Sequence, residues 1–189
     1  MEKSITFVIP AYNADPYLKK CLDSFWDTTV TDKIEVLIVN DGSSDLTDQI
    51  AQAYVKRNPD MYKLINKENG GHGSVINIGS KLASGKYFKV IDADDWVVTD
   101  NLAAFVECLD KCDADIVLTP FHMIHMINGK KKEYRIKTEY DSTYIGLKEV
   151  IHNWGEFEDC MVFHGITYRT VFYRENYCLL YTSDAADEG

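Results

Sequence analysis

At 189 residues, with 46% hydrophobic and 26% charged positions, the chain has the makeup of one soluble globular domain, or of a domain with an appendage. Its formal net charge of -10 argues against nucleic acid as a partner, which would need a basic face, but leaves phosphate ligands held through a metal open. The five cysteines are odd in number and lack zinc-site spacing, which fits free thiols in a reducing cytoplasm.

The chain opens directly on a core strand over residues 5–9, with no signal peptide before it, and Pro10 is expected to stop that strand. A helix follows, with Asp15 as N-cap, Pro16 at the first helical position and Leu18, Leu22 and Phe25 inward. Residues 34–39 form a second buried strand, ending in the turn and cap cluster Asn40-Asp41-Gly42-Ser43-Ser44-Asp45. Leu46, Ile50, Ala53 and Tyr54 fall at helical spacing. A weaker third strand covers 62–66. The loop Asn69-Gly70-Gly71-His72-Gly73 then opens a helix with Val75, Ile78, Gly79 and Leu82 on one face.

The fourth strand, 87–91, delivers Asp92-Ala93-Asp94-Asp95-Trp96 to its end. A helix capped by Thr99 or Asp100 turns Leu102, Phe105, Val106 and Leu109 inward, and a fifth strand over 115–119 is closed by Pro120. Past Pro120 the pattern changes to a β-hairpin, 121–127 and 133–136, turning at Asn128-Gly129. Lys130-Lys131-Lys132 reads as a solvated turn. A short helix over 144–154 and a strand over 163–170 complete the reading. Residues 181–189 lack periodicity and are set aside as a non-native tail. No apolar stretch is long enough to span a bilayer.

Strands alternating with amphipathic helices predict an α/β fold, a mostly parallel sheet covered on both faces. Ligands of such sheets bind at the carboxyl ends of strands, where every candidate site residue falls. The acidic cluster is the sharpest of these. Three carboxylates with no basic residue among them repel one another unless something positive sits between them. A hard divalent cation with oxygen ligands fits that need, and such ions share their remaining positions with phosphates. Taken alone, Asp-x-Asp is more often a turn or helix cap than a metal site.

Four motifs coincide, however. Val8-Ile9-Pro10-Ala11-Tyr12-Asn13, Val39-Asn40-Asp41-Gly42-Ser43-Ser44-Asp45, Glu68-Asn69-Gly70-Gly71 and Asp92-Ala93-Asp94-Asp95 together resemble the family 2 glycosyltransferases of GT-A fold. The resemblance covers about residues 4–120. It implies a Rossmann-like sandwich with a β-hairpin and helix extension. The nucleotide-sugar core would occupy 1–120, a partial acceptor-side region 121–178 and a disordered or non-native tail 179–189.

The resemblance also implies roles. Pro10, Ala11 and Tyr12 would wrap the base and ribose, and Asp41 would accept from the uracil ring N–H, a task that suits an acceptor-only carboxylate. Asn69 and Gly71 would pass the nucleotide. Asp92 and Ala93 would lie at the ribose or a metal-bound water. Asp94, with Asp92, would hold Mn2+ or Mg2+ at the diphosphate, and Asp95 is read as a cap. The implied reaction is inverting transfer from a UDP-sugar to a hydroxyl of a glycan or lipid-linked acceptor, in bacterial surface polysaccharide or cell-wall glycan synthesis. Such chemistry belongs in the cytoplasm or at the inner membrane face, and it leaves room for peripheral membrane association and for a homo-oligomer.

Two departures bear on activity. The family commonly has Ala-Arg-Asn where this chain has Val75-Ile76-Asn77, so an Arg is missing, and His72 is either a substitute donor or a turn residue. The general base usually sits in a Glu-Asp pair. Glu158-Asp159 has that composition, with Asp159 as candidate base, but residues 165–170 resemble the strand that usually precedes the base motif. The base would then lie beyond Tyr177, outside this chain. The competing readings are a nucleotide-binding member without transferase activity and a sugar nucleotidyltransferase. The latter would want a Gly-rich basic loop after the first strand, which Pro10-Ala11-Tyr12-Asn13-Ala14 does not supply. No dinucleotide-binding or P-loop glycine signature is present.

Overall fold

The computed structural model describes residues 3–124, 129–135 and 144–176. The elements run β1 (Ile5–Ala11), α1 (Asp15–Asp23), β2 (Ile34–Asp41), α2 (Thr47–Arg57), β3 (Tyr62–Lys67), α3 (Gly71–Leu82), β4 (Tyr87–Val90) and α4 (Thr99–Lys111). They continue with β5 (Ile116–Leu118), β6 (Phe121–Ile124), β7 (Lys131–Tyr134), α5 (Leu147–His152), α6 (Trp154–Phe157), β8 (Ile166–Arg169) and α7 (Thr170–Asn176). Six strands make one sheet in the order β3-β2-β1-β4-β8-β5, and β6 with β7 forms the expected hairpin. The β1–β2, β1–β4 and β2–β3 pairs are parallel, while β8 runs antiparallel to both β4 and β5.

The continuous apolar runs of β1 and β2 are buried on both faces because the pleat sends alternate residues to opposite sides. Ile5, Phe7, Ile9, Val36 and Ile38 join Leu18, Leu22, Phe25, Leu102 and Val106 in one core layer. Val8, Leu37 and Val39 join Val75, Ile76, Phe88 and Val90 in the other. The chain winds outward from β1 to β2 and β3, then crosses to β4 on the other side of β1. That reversal opens a crevice between the carboxyl ends of β1 and β4, the place where open α/β sheets bind ligands.

Several sequence expectations need correction. Pro10 does not stop β1, which pairs with β2 through Ala11. The Val8 carbonyl accepts from the Ile91 N–H at 3.0 Å. Pro10, two residues on, faces the same side, beyond the last β4 pair at Val90, so its missing N–H leaves no bond unmade. Asp15 lies inside α1, and Ala14 is the N-cap residue without a side-chain cap. Val98, not Thr99 or Asp100, precedes α4, and the Thr99 hydroxyl donates to the Ser24 carbonyl at 2.7 Å. On α2, Ala51 and Tyr54 are buried while Leu46 is exposed. On α3 the buried stripe is Val75, Ile76, Gly79 and Ser80, with Leu82 exposed. Lys131 and Lys132 belong to β7 rather than to a turn. Residues 125–128, 136–143 and 177–189, including part of the hairpin, Cys178 and the tail, lie outside the described residues. No helix among the described residues is long and apolar enough to cross a membrane.

Gly79 sets the distance between α3 and the sheet. A Cβ there would collide with the side chain of Val8, which is fully buried in β1. Gly79→Ala is therefore expected to cost about 1–3 kcal/mol through overpacking. Urea unfolding should show a lower midpoint with an unchanged slope.

Candidate active site

The end of β1 is fixed by bonds from the loop after β2. Asn13 has a φ of 47° and its side-chain oxygen accepts from the Ser44 N–H at 2.9 Å, while its own N–H donates to the Ser43 hydroxyl at 3.0 Å. The Ala14 N–H donates to the Thr47 hydroxyl at 2.8 Å and the Asp15 N–H to the Asp45 carboxylate at 3.1 Å. The start of α1, which lacks a local cap, is thus capped by the loop after β2. This latch holds buried Ala11 and 56%-exposed Tyr12 beside the end of β2.

Asp41, the last residue of β2, is only 3% exposed. Its Oδ1 accepts from the Gly70 N–H at 3.0 Å and pairs with the ammonium of Lys67, the last residue of β3. Lys67 also donates to the Glu68 carbonyl at 2.5 Å. The glycine loop packs directly on this strand end. Gly42 has a φ of 76°, and a Cβ there would stand 2.9 Å from the Asn69 nitrogen. Gly71 also has positive φ, 78°, as α3 begins. Ile76, where the resemblance expects an Arg nearby, is buried in the core and presents nothing to the crevice.

The acidic turn follows β4. The Asp95 N–H closes it on the Asp92 carbonyl at 2.9 Å. His72, from the first turn of α3, places Nε2 2.8 Å from Asp92 Oδ1. That bond holds the Asp92 carboxyl below the usual carboxylate range and raises the His72 imidazole above its ordinary value. Asp95 behaves in the opposite way. Burial, then Asp94 and Asp92, raise its carboxyl, and His164 offsets only part of this. His164 Nδ1 lies 3.3 Å from Asp95 Oδ2.

Asp92, Asp95 and His164 each offer a ligand atom, and these atoms lie within 4.8 Å of one another. Asp94 is exposed and outside this group, while Ala93 is buried in the turn. Two half-buried carboxylates crowded with like charge and an exposed imidazole suit a divalent cation. Asp159 is exposed in the turn after α6 and does not join them. Sequence reasoning missed His164 and Lys67, and it read Asp95 as a cap. No local signal marks His164, since it comes to Asp95 from 69 positions along the chain.

A further group sits just below the turn. Lys89, in β4, is 6% exposed and donates to the His164 carbonyl at 2.9 Å, the Ile166 carbonyl at 3.2 Å and the Thr119 hydroxyl at 3.3 Å. Burial pulls its ammonium down to about 7.

The sheet order, the covered faces and the crevice at the strand reversal define a GT-A-type fold. The family model described as "Glycosyl transferase family 2" matches residues 6–175, and the chain belongs to that family. It is similar to the "Putative glycosyltransferase EpsH" of Bacillus subtilis (strain 168), 39% identical over 137 residues that cover 72% of this chain and 39% of that protein. It is 30% identical over 151 residues to the "Minor teichoic acid biosynthesis protein GgaB" of the same organism, covering 76% of this chain and 16% of that one.

Among solved structures, S. aureus TarS 1-349 matches with a TM-score of 0.68 at 23% identity, over 95% of this chain and 51% of that one, a likeness of fold. The mannosyltransferase PcManGT from Pyrobaculum calidifontis, in complex with GDP-Man and Mn2+, matches with a TM-score of 0.54 at 27% identity, over 62% of this chain and 35% of that one. The chain spans 34% and 39% of the length of the two Bacillus subtilis relatives EpsJ and EpsH.

Proposed function

We propose that this chain is the donor-binding part of a metal-dependent, inverting glycosyltransferase. It would move a sugar from a UDP-sugar to an acceptor hydroxyl in bacterial surface polysaccharide or cell-wall glycan synthesis. The observation that carries this reading is the Asp92–Asp95–His164 group at the crevice where the strand order reverses. PcManGT, a neighbour of the same fold, is recorded with a nucleotide sugar and Mn2+. GgaB, a teichoic acid biosynthesis protein by description, supports the cell-surface setting.

Asp92, Asp95 and His164 would hold Mn2+ or Mg2+. Once bound, such an ion stabilises negative charge developing on a departing diphosphate. The chain's own residues do the rest. Tyr12, exposed at the end of β1, offers a face for the base, and Ala11 with Pro10 shapes the floor. Asp41 pairs with Lys67, and a carboxylate, which accepts and does not donate, suits the ring N–H of uracil and not the ring nitrogen of cytosine. Gly70 and Gly71 let the backbone come close, and Asn69 lies in the same loop. Donor and acceptor would both be small or membrane-borne molecules, with no nucleic acid involved.

A specific observation favours a second reading for these 189 residues by themselves. Asp159, the candidate base, is exposed in the turn after α6 and is not one of the grouped ligands, and without a base the chain would bind the donor without transferring it. Both readings share one test, calorimetric titration of UDP with and without Mn2+ and with GDP as control. Metal-dependent binding that prefers UDP is expected. Absence of UDP binding in both conditions would refute the donor site.

A further inference from the structure

We propose that Lys89 is a positioning residue for the cation site, holding the backbone around His164 so that the imidazole stands against Asp95. The proposal rests on the reading of Asp92, Asp95 and His164 as ligands. It begins from an oddity of the sheet. The β4–β8 ladder consists of Tyr87↔Arg169 and Phe88↔Tyr168, and it stops there. Toward its start, β8 stays with β5, pairing Ile166 with Leu118, and the Gly165 carbonyl accepts from the Thr119 N–H at 2.8 Å. Meanwhile β4 stays with β1 as far as Val90. The two strands therefore part beside Lys89, at the carboxyl end of the sheet.

Parting leaves alternate carbonyls of the β8 approach without a strand to bond. The Gly165 carbonyl turns to β5, so those of His164 and Ile166 turn toward the gap. Lys89 fills that gap with its stem, and its ammonium supplies the bonds the missing ladder would have made. Its three acceptors are two carbonyls and a hydroxyl, with no carboxylate among them. A buried cation without an anion is costly. An apolar side chain would fill the same space without that cost, yet it would leave two carbonyls unbonded and the His164 turn unheld. The gap also lies three residues before Asp92, so whatever sets its width sets where His164 meets the acidic turn.

The test is Lys89→Met, which keeps an unbranched stem and removes the donors, in a double-mutant cycle with His164→Ala. Mn2+-dependent UDP affinity is read by calorimetry, and the His164 ring signals by carbon–proton correlation NMR. Lys89→Met is expected to weaken the metal-dependent affinity about 10–100-fold, the usual effect of losing a group that orients a ligand. In the His164→Ala background the same change should alter it less than twofold. Equal losses in both backgrounds, or undiminished affinity, would overturn the proposal.

Should the wild-type chain bind UDP without any dependence on Mn2+, the cation reading fails while Lys89 is still judged by the ring signals. Lys89→Met should then shift them, and unchanged signals would refute its role. If Lys89→Met does not fold, Lys89→Gln, neutral but able to donate to one carbonyl, should give an intermediate weakening, and none would count against it.

Discussion

Asp92→Ala and Asp95→Ala are each expected to weaken Mn2+-dependent UDP binding by about a hundredfold or more, since removing a ligand costs more than the 10–100-fold typical of its supporting partners. Asp94→Ala should change it by less than about threefold. The contrast follows from placement, because Asp94 is exposed while Asp92 and Asp95 converge with His164. Loss of function need not mean loss of fold. Asp95 sits with its carboxyl raised by burial and by its acidic neighbours, so removing it relieves repulsion in the metal-free chain. Asp95→Ala should therefore keep or raise the thermal midpoint without metal while abolishing the metal-induced rise. A reversed pattern, with Asp94→Ala disabling and Asp95→Ala harmless, would move the ion to the carboxylate that the family resemblance assigns.

The legible parts of this molecule are those written in local periodicity. Apolar runs at residues 5–9, 34–39 and 87–91 read as buried strands, and the structure puts them side by side. The acidic turn could be placed at the end of β4 because nothing but short-range pattern was needed. Features that depend on distant partners were not legible. The strand near residue 166 could be suspected, but its insertion antiparallel between β4 and β5 pairs residues about 50 to 80 positions apart. The same distance hid His164 and the Lys89 clamp.

Helix faces were misassigned for a related reason. On α3, Val75, Ile78, Gly79 and Leu82 form a valid helical stripe, and so do Val75, Ile76, Gly79 and Ser80. Gly79, which meets Val8, belongs to both, and the burial of Ile76 and Ser80 with Leu82 left exposed selects the second. Capping went astray at α1 because two distant acceptors of the same chain, Thr47 and Asp45, do the work that a local Asp was expected to do.

Asp41→Asn separates two things that one carboxylate does. Structurally, Asp41 neutralises Lys67 and accepts from the Gly70 N–H. An amide keeps the second bond and loses the first, leaving an ammonium that is itself mostly buried, with 16% of its side chain exposed. Breaking one partner of a buried pair costs about 3–5 kcal/mol, and Lys67's residual access to water puts this case near the lower end. Urea unfolding should show that loss, and Asp41→Asn combined with Lys67→Met should recover much of it, because no charge is then left unpaired.

Recognition should respond differently. A carboxylate cannot donate, so it favours a base with a ring N–H. An amide can turn either way and tolerates a ring acceptor as well. A hydrogen bond to a charged group contributes about 1.5–3 kcal/mol, so the preference for UDP over CDP should fall by about tenfold or more in both the single and the double variant. If the double variant recovers stability and the UDP preference never changes, Asp41 is a strut for the glycine loop and the base is read elsewhere. If stability returns and selectivity does not, the carboxylate that anchors the loop is also the one that reads the nucleotide.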